Sequence, residues 1–277
     1  MSMPDPSETL VIEAGRAERH YWRDLWRYRE LMEFLAWRDI KVRYKQASLG
    51  IAWALLQPVV TLVVFTFVFG RLAKMPDGGV PYPLLVLSGL LPWQLFSSAF
   101  NNASNSLVSN THLVSKVYFP RLLIPLSSVV VALIDFVIVV ALYALLAVWF
   151  GLFPDWRVIT LPFFILLGLF AALGAGLWLT ALTVKFRDFR FVVPFMLQVG
   201  LFMSPVGFSA ANLPSWRWLI SLNPVAGVID GFRWSLLRGG QDLYLPGLAM
   251  SVVITLLLMV TGVRYFRRVE RSFADVI

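Results

Sequence analysis

The stretch that decides the fold is Trp37-Arg38-Asp39-Ile40-Lys41-Val42-Arg43-Tyr44-Lys45-Gln46-Ala47-Ser48-Leu49-Gly50-Ile51-Ala52-Trp53-Ala54-Leu55-Leu56-Gln57-Pro58. Its first third is basic, with Arg38, Lys41, Arg43 and Lys45 close together. From Gly50 no charge appears until Arg71. A bilayer crossing needs about 20 apolar residues, so a water-facing segment here gives way to a span. The basic cluster marks the side that stays in the cytoplasm.

Composition extends this reading to the whole chain. Of 277 residues, 58% are hydrophobic and 14% charged. Soluble domains carry about 25% charged residues, so the chain is read as a polytopic, all-α integral membrane protein. A net charge of +8 could suggest nucleic acid, but the charges sit between apolar segments, as the positive-inside rule requires. The chain has no cysteine, which excludes disulfides, a thiolate nucleophile and cysteine metal sites. Residues 1–20 are polar, mixed in charge and without an apolar signal core; they read as a mobile cytoplasmic tail.

Residues 21–48 are expected as an amphipathic interface helix. Arg23, Arg27, Glu30, Arg38, Lys41 and Lys45 fall on one side, and Trp22, Leu25, Met32, Ala36 and Ile40 on the other. Arg29, Asp39 and Arg43 intrude on the apolar side, and a soluble helix packed on a partner is the alternative. Residues 49–277 then form a transmembrane domain with six apolar segments, at 51–70, 84–108, 122–150, 159–184, 191–211 and 246–266. Between the last two lies 212–240, whose Asn212 before Pro214 and Asn223 before Pro224 look like helix starts. These pieces are too short to span, so two short re-entrant external helices are expected. With both termini in the cytoplasm, Lys and Arg divide 18 inside to 6 outside, which favours an even number of spans.

Candidate chemistry is sparse. None of the five lysines follows a glycine, so the chain has no P-loop of its own. His20 and His112 have no partner at metal-ligand spacing, and no paired carboxylates mark a metal-dependent transferase. The acid Asp135 lies within the third span. An intramembrane carboxylate is a functional candidate by default, either for proton coupling or as a bond to a neighbouring helix. An intramembrane enzyme of lipid-linked sugar metabolism is a further rival.

Three stripes combine aromatic and polar residues. The first span carries Trp53, Gln57, Thr61, Phe65 and Phe69; the second Trp93, Phe96, Ser97, Phe100, Asn101, Ser104 and Asn105; the fifth Phe191, Phe195, Gln198 and Phe202. They read either as helix-packing core or as a passage for sugar, with rings stacking on sugar faces and amides bonding hydroxyls. The loop before the third span carries Lys116-Val117-Tyr118-Phe119-Pro120-Arg121. Its apolar residues read as exposed, either an interface anchor or a knob for a cytoplasmic partner.

Several of these residues also carry a family resemblance. Trp37 to Lys45, Leu49-Gly50-Ile51-Ala52-Trp53, Gln57-Pro58, Gly89-Leu90-Leu91-Pro92-Trp93, Lys116 to Arg121, Phe186-Arg187-Asp188, Asn223-Pro224 and Phe232-Arg233 occur in this order. Together, over about residues 20–270, they resemble the ABC-2 type permeases that export O-antigen, capsule or teichoic acid chains. The resemblance implies a homodimer bound to two copies of a separate P-loop subunit that holds ATP and Mg. Arg38, Lys41, Lys116, Val117, Tyr118, Phe119 and Arg121 would contact that subunit. Trp216, Trp218, Asn223, Pro224, Phe232 and Arg233 would belong to an external gate, and the three stripes to a channel for lipid-linked polysaccharide. No cofactor is expected in this chain, and the expected location is the bacterial inner membrane.

Overall fold

An apolar run inside a bilayer has no water to bond its backbone, so it satisfies its own amides and carbonyls as a helix. The computed structural model, which describes residues 21–45, 50–116, 119–186, 188–238 and 241–270, is helical throughout its long segments. In chain order the helices are α1 (Tyr21–Arg27), α2 (Arg29–Lys45), α3 (Gly50–Phe65, continued as a π-helix over Thr66–Leu72), α4 (Tyr82–Ser109) and α5 (Thr111–Lys116). Then follow α6 (Leu123–Trp149), α7 (Leu161–Lys185), α8 (Phe189–Met203), α9 (Arg217–Ile220), α10 (Pro224–Leu236) and α11 (Leu245–Glu270).

Among the described residues, five segments are long and apolar enough to cross a membrane: Leu55–Leu72, Tyr82–Ser109, Leu123–Trp149, Trp156–Lys185 and Leu245–Glu270. The run expected as a span over 191–211 is interrupted. Its helix, α8, has 15 residues, about 22 Å at the α-helical rise, against a hydrocarbon core of about 30 Å. Pro205 cannot donate a helical hydrogen bond, and the chain turns out of the helix at Ser204.

The region before α11 also departs from the expected pair of helices. Residues 210–216 form two short 3-10 turns and α9 has four residues, so only α10, with 13, is a helix of substance. Asn223 begins it as the sequence indicates: its carboxamide oxygen accepts from the Val225 amide at 3.0 Å, with Pro224 in the first turn. Asn212 caps nothing. Its side chain donates to the Pro76 carbonyl, and Ser209 caps the first 3-10 turn.

Helix α4 is the pillar, packed against α6, α7 and α10, with α11 outside α7 and α2 laid along α6. It is the least hydropathic of the five spans and the most buried. A helix facing lipid must be apolar all round, whereas one surrounded by protein can give its polar groups partners. Ser98 and Asn102 of α4 accordingly bond across to α6, at Asp135 and at the Ser128 carbonyl.

Helices α7 and α11 approach until their backbones touch. A Cβ on Gly174 would lie 2.7 Å from the Met259 amide nitrogen and 2.8 Å from the Leu258 carbonyl carbon. Small residues permit such crossings in membranes. At Gly168, on the same helix, a Cβ would meet only the Val228 side chain at 3.6 Å and Leu95 at 4.0 Å. Gly174→Ala should therefore destabilise the detergent-solubilised protein by about 1–3 kcal/mol through overpacking. Gly168→Ala should be neutral or stabilising, since alanine is the better helix former. Thermal midpoints of the two variants check the contrast, and equal midpoints would contradict the close crossing.

Candidate functional site

Where α8 ends, the backbone of residues 204–207 is buried but not helical. Buried carbonyls need hydrogen-bond donors. Arg233 of α10 provides them. The side chain is fully buried; Nη1 donates to the Phe208 carbonyl and Nη2 to the Val206 carbonyl, both at 2.8 Å. The Tyr82 hydroxyl donates to the Gly207 carbonyl between them at 2.6 Å. Asn223 Nδ2 donates to Ser204 Oγ at 2.8 Å, so one asparagine both caps α10 and holds the end of α8. Asp230 lies one turn before Arg233 on the same helix. Gly89 of α4 gives the assembly its room: a Cβ there would lie 2.9 Å from the Val206 carbonyl oxygen and 3.0 Å from Arg233 Nη2.

The residues expected at an external gate thus divide. Phe232, Arg233, Asn223 and Pro224 belong to this clamp or the core behind it, where Phe232 packs edge-on to Phe136. Trp216 and Trp218 are exposed on the 3-10 turn and α9.

The aromatic stripes divide too. Phe65, Trp93 and Phe100 are buried inside the chain. Phe65 packs against Phe69 and Phe202, Trp93 lies over Gly200, and Phe96 stacks on Phe100 with planes 9° apart. Thr61 donates to the Gln57 carbonyl in its own helix, and Ser97 likewise to the Gln94 carbonyl. Gln57, Asn101, Phe191, Phe195, Gln198 and Phe202 remain exposed on the surface of one chain, Phe191 at 80%. The Trp53 side chain lies outside the described residues.

Asp135 is held on three sides. The Tyr44 hydroxyl donates to Oδ1 at 2.6 Å, the Ser98 hydroxyl donates to Oδ2 at 2.9 Å, and Arg43 Nη2 is 3.0 Å from Oδ2. Burial, and then the carboxylate, push the Tyr44 phenol well above its ordinary range, which keeps it a donor. Arg43 interrupted the apolar side of the interface helix in the sequence, and this partner accounts for it. Asp39, another intruder, pairs with Arg38, whose Nη2 also donates to Asn110 Oδ1 at the end of α4.

A second network joins three chain segments at the end of the bundle carrying the basic clusters. Glu270 of α11 accepts from the Tyr21 hydroxyl at 3.1 Å and from the Arg121 amide at 2.8 Å; Arg121 Nη1 donates to the Glu270 carbonyl at 2.7 Å. Burial, and then Glu270, push the Tyr21 phenol upward. Lys41 lies over the Trp37 ring at 5.2 Å, and both Lys41 and Lys116 are exposed. Phe119, expected as an exposed apolar knob, is buried among Leu35, Val114, Leu122 and Leu123. Its side chain exchanges water for that cluster, so the knob reading fails for this residue. Val117 and Tyr118 lie outside the described residues. Sequence reasoning missed Tyr21, Tyr44, Tyr82, Ser98 and Glu270; only the misplaced charges Arg43 and Asp39 signalled that such partners exist.

The comparison with known proteins follows this geometry. The ABC-2 type transporter family profile matches residues 30–237, which takes in α2 through α10. An O-antigen export system permease protein, RfbA, of Myxococcus xanthus is 28% identical over 259 residues, 92% of this chain and 98% of that protein. A Klebsiella pneumoniae protein with the same description is 25% identical over 90% of this chain and 95% of its own length. The polysialic acid transport protein KpsM of Escherichia coli is 28% identical over 87% and 94%. With the family profile matching well over half of its residues, the chain belongs to the ABC-2 type transporter family.

Proposed function

We propose that this chain is the permease subunit of an ATP-driven exporter of lipid-linked, O-antigen-like polysaccharide in a bacterial inner membrane. The observation that carries the reading is similarity to O-antigen export permeases over 90–92% of the chain. The permease works as a homodimer with two P-loop subunits that hold ATP and Mg. That no lysine of this chain follows a glycine supports hydrolysis in that partner.

Helix α8 and the unwound segment after it make the sixth crossing, with the Arg233 clamp replacing the missing turns. This returns an even count, matches the 18-to-6 division of basic residues and puts both termini in the cytoplasm. The partner docks on the basic end, against Arg38, Lys41, Lys116, Arg121 and the loop carrying Val117 and Tyr118. The Glu270 and Asp135 networks pass its motion to α11, α6 and α4. The polymer moves between two copies, past the exposed Gln57, Asn101, Phe191, Phe195, Gln198 and Phe202. A two-fold axis presents each face twice, and uncharged rings and amides let a sugar chain slide. Trp216 and Trp218, with the clamp beneath them, form the external exit.

Three outcomes follow. A reporter fused after Ile277 and one inserted near Asp188 should both read cytoplasmic, and one near Gly79 external; a cytoplasmic signal at Gly79 would remove the topology. Phe195→Leu, which keeps apolar bulk on an exposed site, should leave expression and assembly with the ATP-binding subunit intact while export falls severalfold. Unchanged export would take Phe195 out of the path.

The third concerns Asp135, for which a proton-coupled carrier is the rival reading. Its two oxygens already serve Arg43, Tyr44 and Ser98, which favours a structural bond. Asp135→Asn should lower the thermal midpoint by an amount equivalent to about 1.5–3 kcal/mol, the loss of hydrogen bonds to a charged group. The lower end is expected, since the Arg43 side chain is 44% exposed. Export should persist when an ionophore collapses the proton gradient and ATP is maintained. Arrest under those conditions would favour the carrier.

A further inference from the structure

At the basic end, between Trp22 of α1 and the last turns of α11, lies an open groove of about 700 Å³. Its far wall is Arg264, Arg267 and Arg268, and its floor is Met259, Val260 and Val263. Arg264 and Arg268 are exposed, and among the described residues neither has a carboxylate partner. Arg267 is held in place by rings, lying 4.5 Å from the Tyr21 centroid and 5.9 Å from that of Trp22. The nearest acid along the helix, Glu270, accepts from Tyr21 and Arg121.

Below the arginines the same side of α11 continues as exposed hydrocarbon: Val260, Leu257, Leu256 and Val253. Within one helical turn the surface changes from aliphatic to guanidinium, and an indole stands beside the change. A free phosphate or an acidic peptide would use the cations and leave the apolar face uncovered. A phospholipid uses both, with acyl chains on the aliphatic face and the headgroup phosphate among the arginines. Basic pockets beside spans collect anionic headgroups in this way, and tryptophan favours the same interfacial depth.

We propose that this groove binds an anionic phospholipid of the adjoining leaflet. The lipid joins α1 to α11 where the Tyr21–Glu270 bond already links them, and so stiffens the platform at the basic end. The proposal rests on α11 crossing the membrane and stands apart from the export reading, since it concerns no substrate.

The test uses the full-length chain in nanodiscs of phosphatidylglycerol and phosphatidylcholine, released for native mass spectrometry. Wild-type protein should retain phosphatidylglycerol well above its share of the bilayer. Each of Arg264→Gln, Arg267→Gln and Arg268→Gln should lower that enrichment by roughly fivefold or less, the worth of one basic residue near an anionic surface. Arg264→Lys should keep most of it. Enrichment unchanged in the triple glutamine variant would overturn the site. So would displacement of the lipid by an equimolar short-chain polyprenyl diphosphate, which would assign the groove to a substrate headgroup, or by inorganic phosphate alone. Should the triple variant not fold, brominated phosphatidylglycerol should quench wild-type fluorescence more than brominated phosphatidylcholine, with the excess lost in Trp22→Phe. Equal quenching by the two lipids would also overturn it.

Discussion

The structure depends on how a chain in an apolar medium satisfies the backbone it has unwound. At Ser204 the fifth apolar run stops being a helix, and the carbonyls of Val206, Gly207 and Phe208 lose their intrahelical donors. Two of them turn to Arg233 and one to Tyr82. Burying an arginine is costly unless its donors are used, and buried unpaired carbonyls are costly as well; Nη1 and Nη2 of Arg233 each meet one of these carbonyls, while Nε is left without a partner. The surroundings fit around that exchange. Gly89 leaves the space, Asn223 ties the start of α10 to the end of α8, and Phe232 buries the other side of the same helix.

The distribution of polarity follows the same rule. The most polar span, α4, is the most buried, and the strongly apolar α6, α7 and α11 turn much of their surface outward. Polar side chains that look like channel lining when α4 is taken alone are partly absorbed by its neighbours, Ser98 by Asp135 and Asn102 by the Ser128 carbonyl. The interface helix is held by the same means. Arg43 and Tyr44 reach Asp135, and Tyr21 reaches Glu270, so both ends of the α1–α2 segment are bonded to spans far away in sequence.

Much of this was legible in the residues, and the rest was hidden for identifiable reasons. Long uncharged runs and the basic segments between them pointed to six spans, of which five are helices of spanning length, and Asn223-Pro224 marked the start of α10. The break in the fifth run was written as Ser204-Pro205-Val206-Gly207, but a count of apolar residues passes over it. Burial of Phe65, Trp93 and Phe100 was not legible, because faces toward lipid, toward a second copy and toward the core are all apolar. Periodicity finds a stripe without saying which neighbour it meets. Phe119 illustrates the same ambiguity in a loop. Asp135 was conspicuous, yet its partners Ser98 and Tyr44 lie 37 and 91 positions away, and Arg43 is the neighbour of Tyr44, all beyond any local pattern.

The central proposal is a path between two copies, along the surfaces of α3 and α8 that one chain leaves exposed. The chain has no cysteine of its own, so single cysteines report without background. With the permease assembled in membranes with its ATP-binding subunit, a short bifunctional thiol reagent should join two copies carrying Gln198→Cys or Phe195→Cys. Copies carrying Val253→Cys or Leu256→Cys on α11 should not be joined. Cross-linking through α11 with none through α8 would contradict the account.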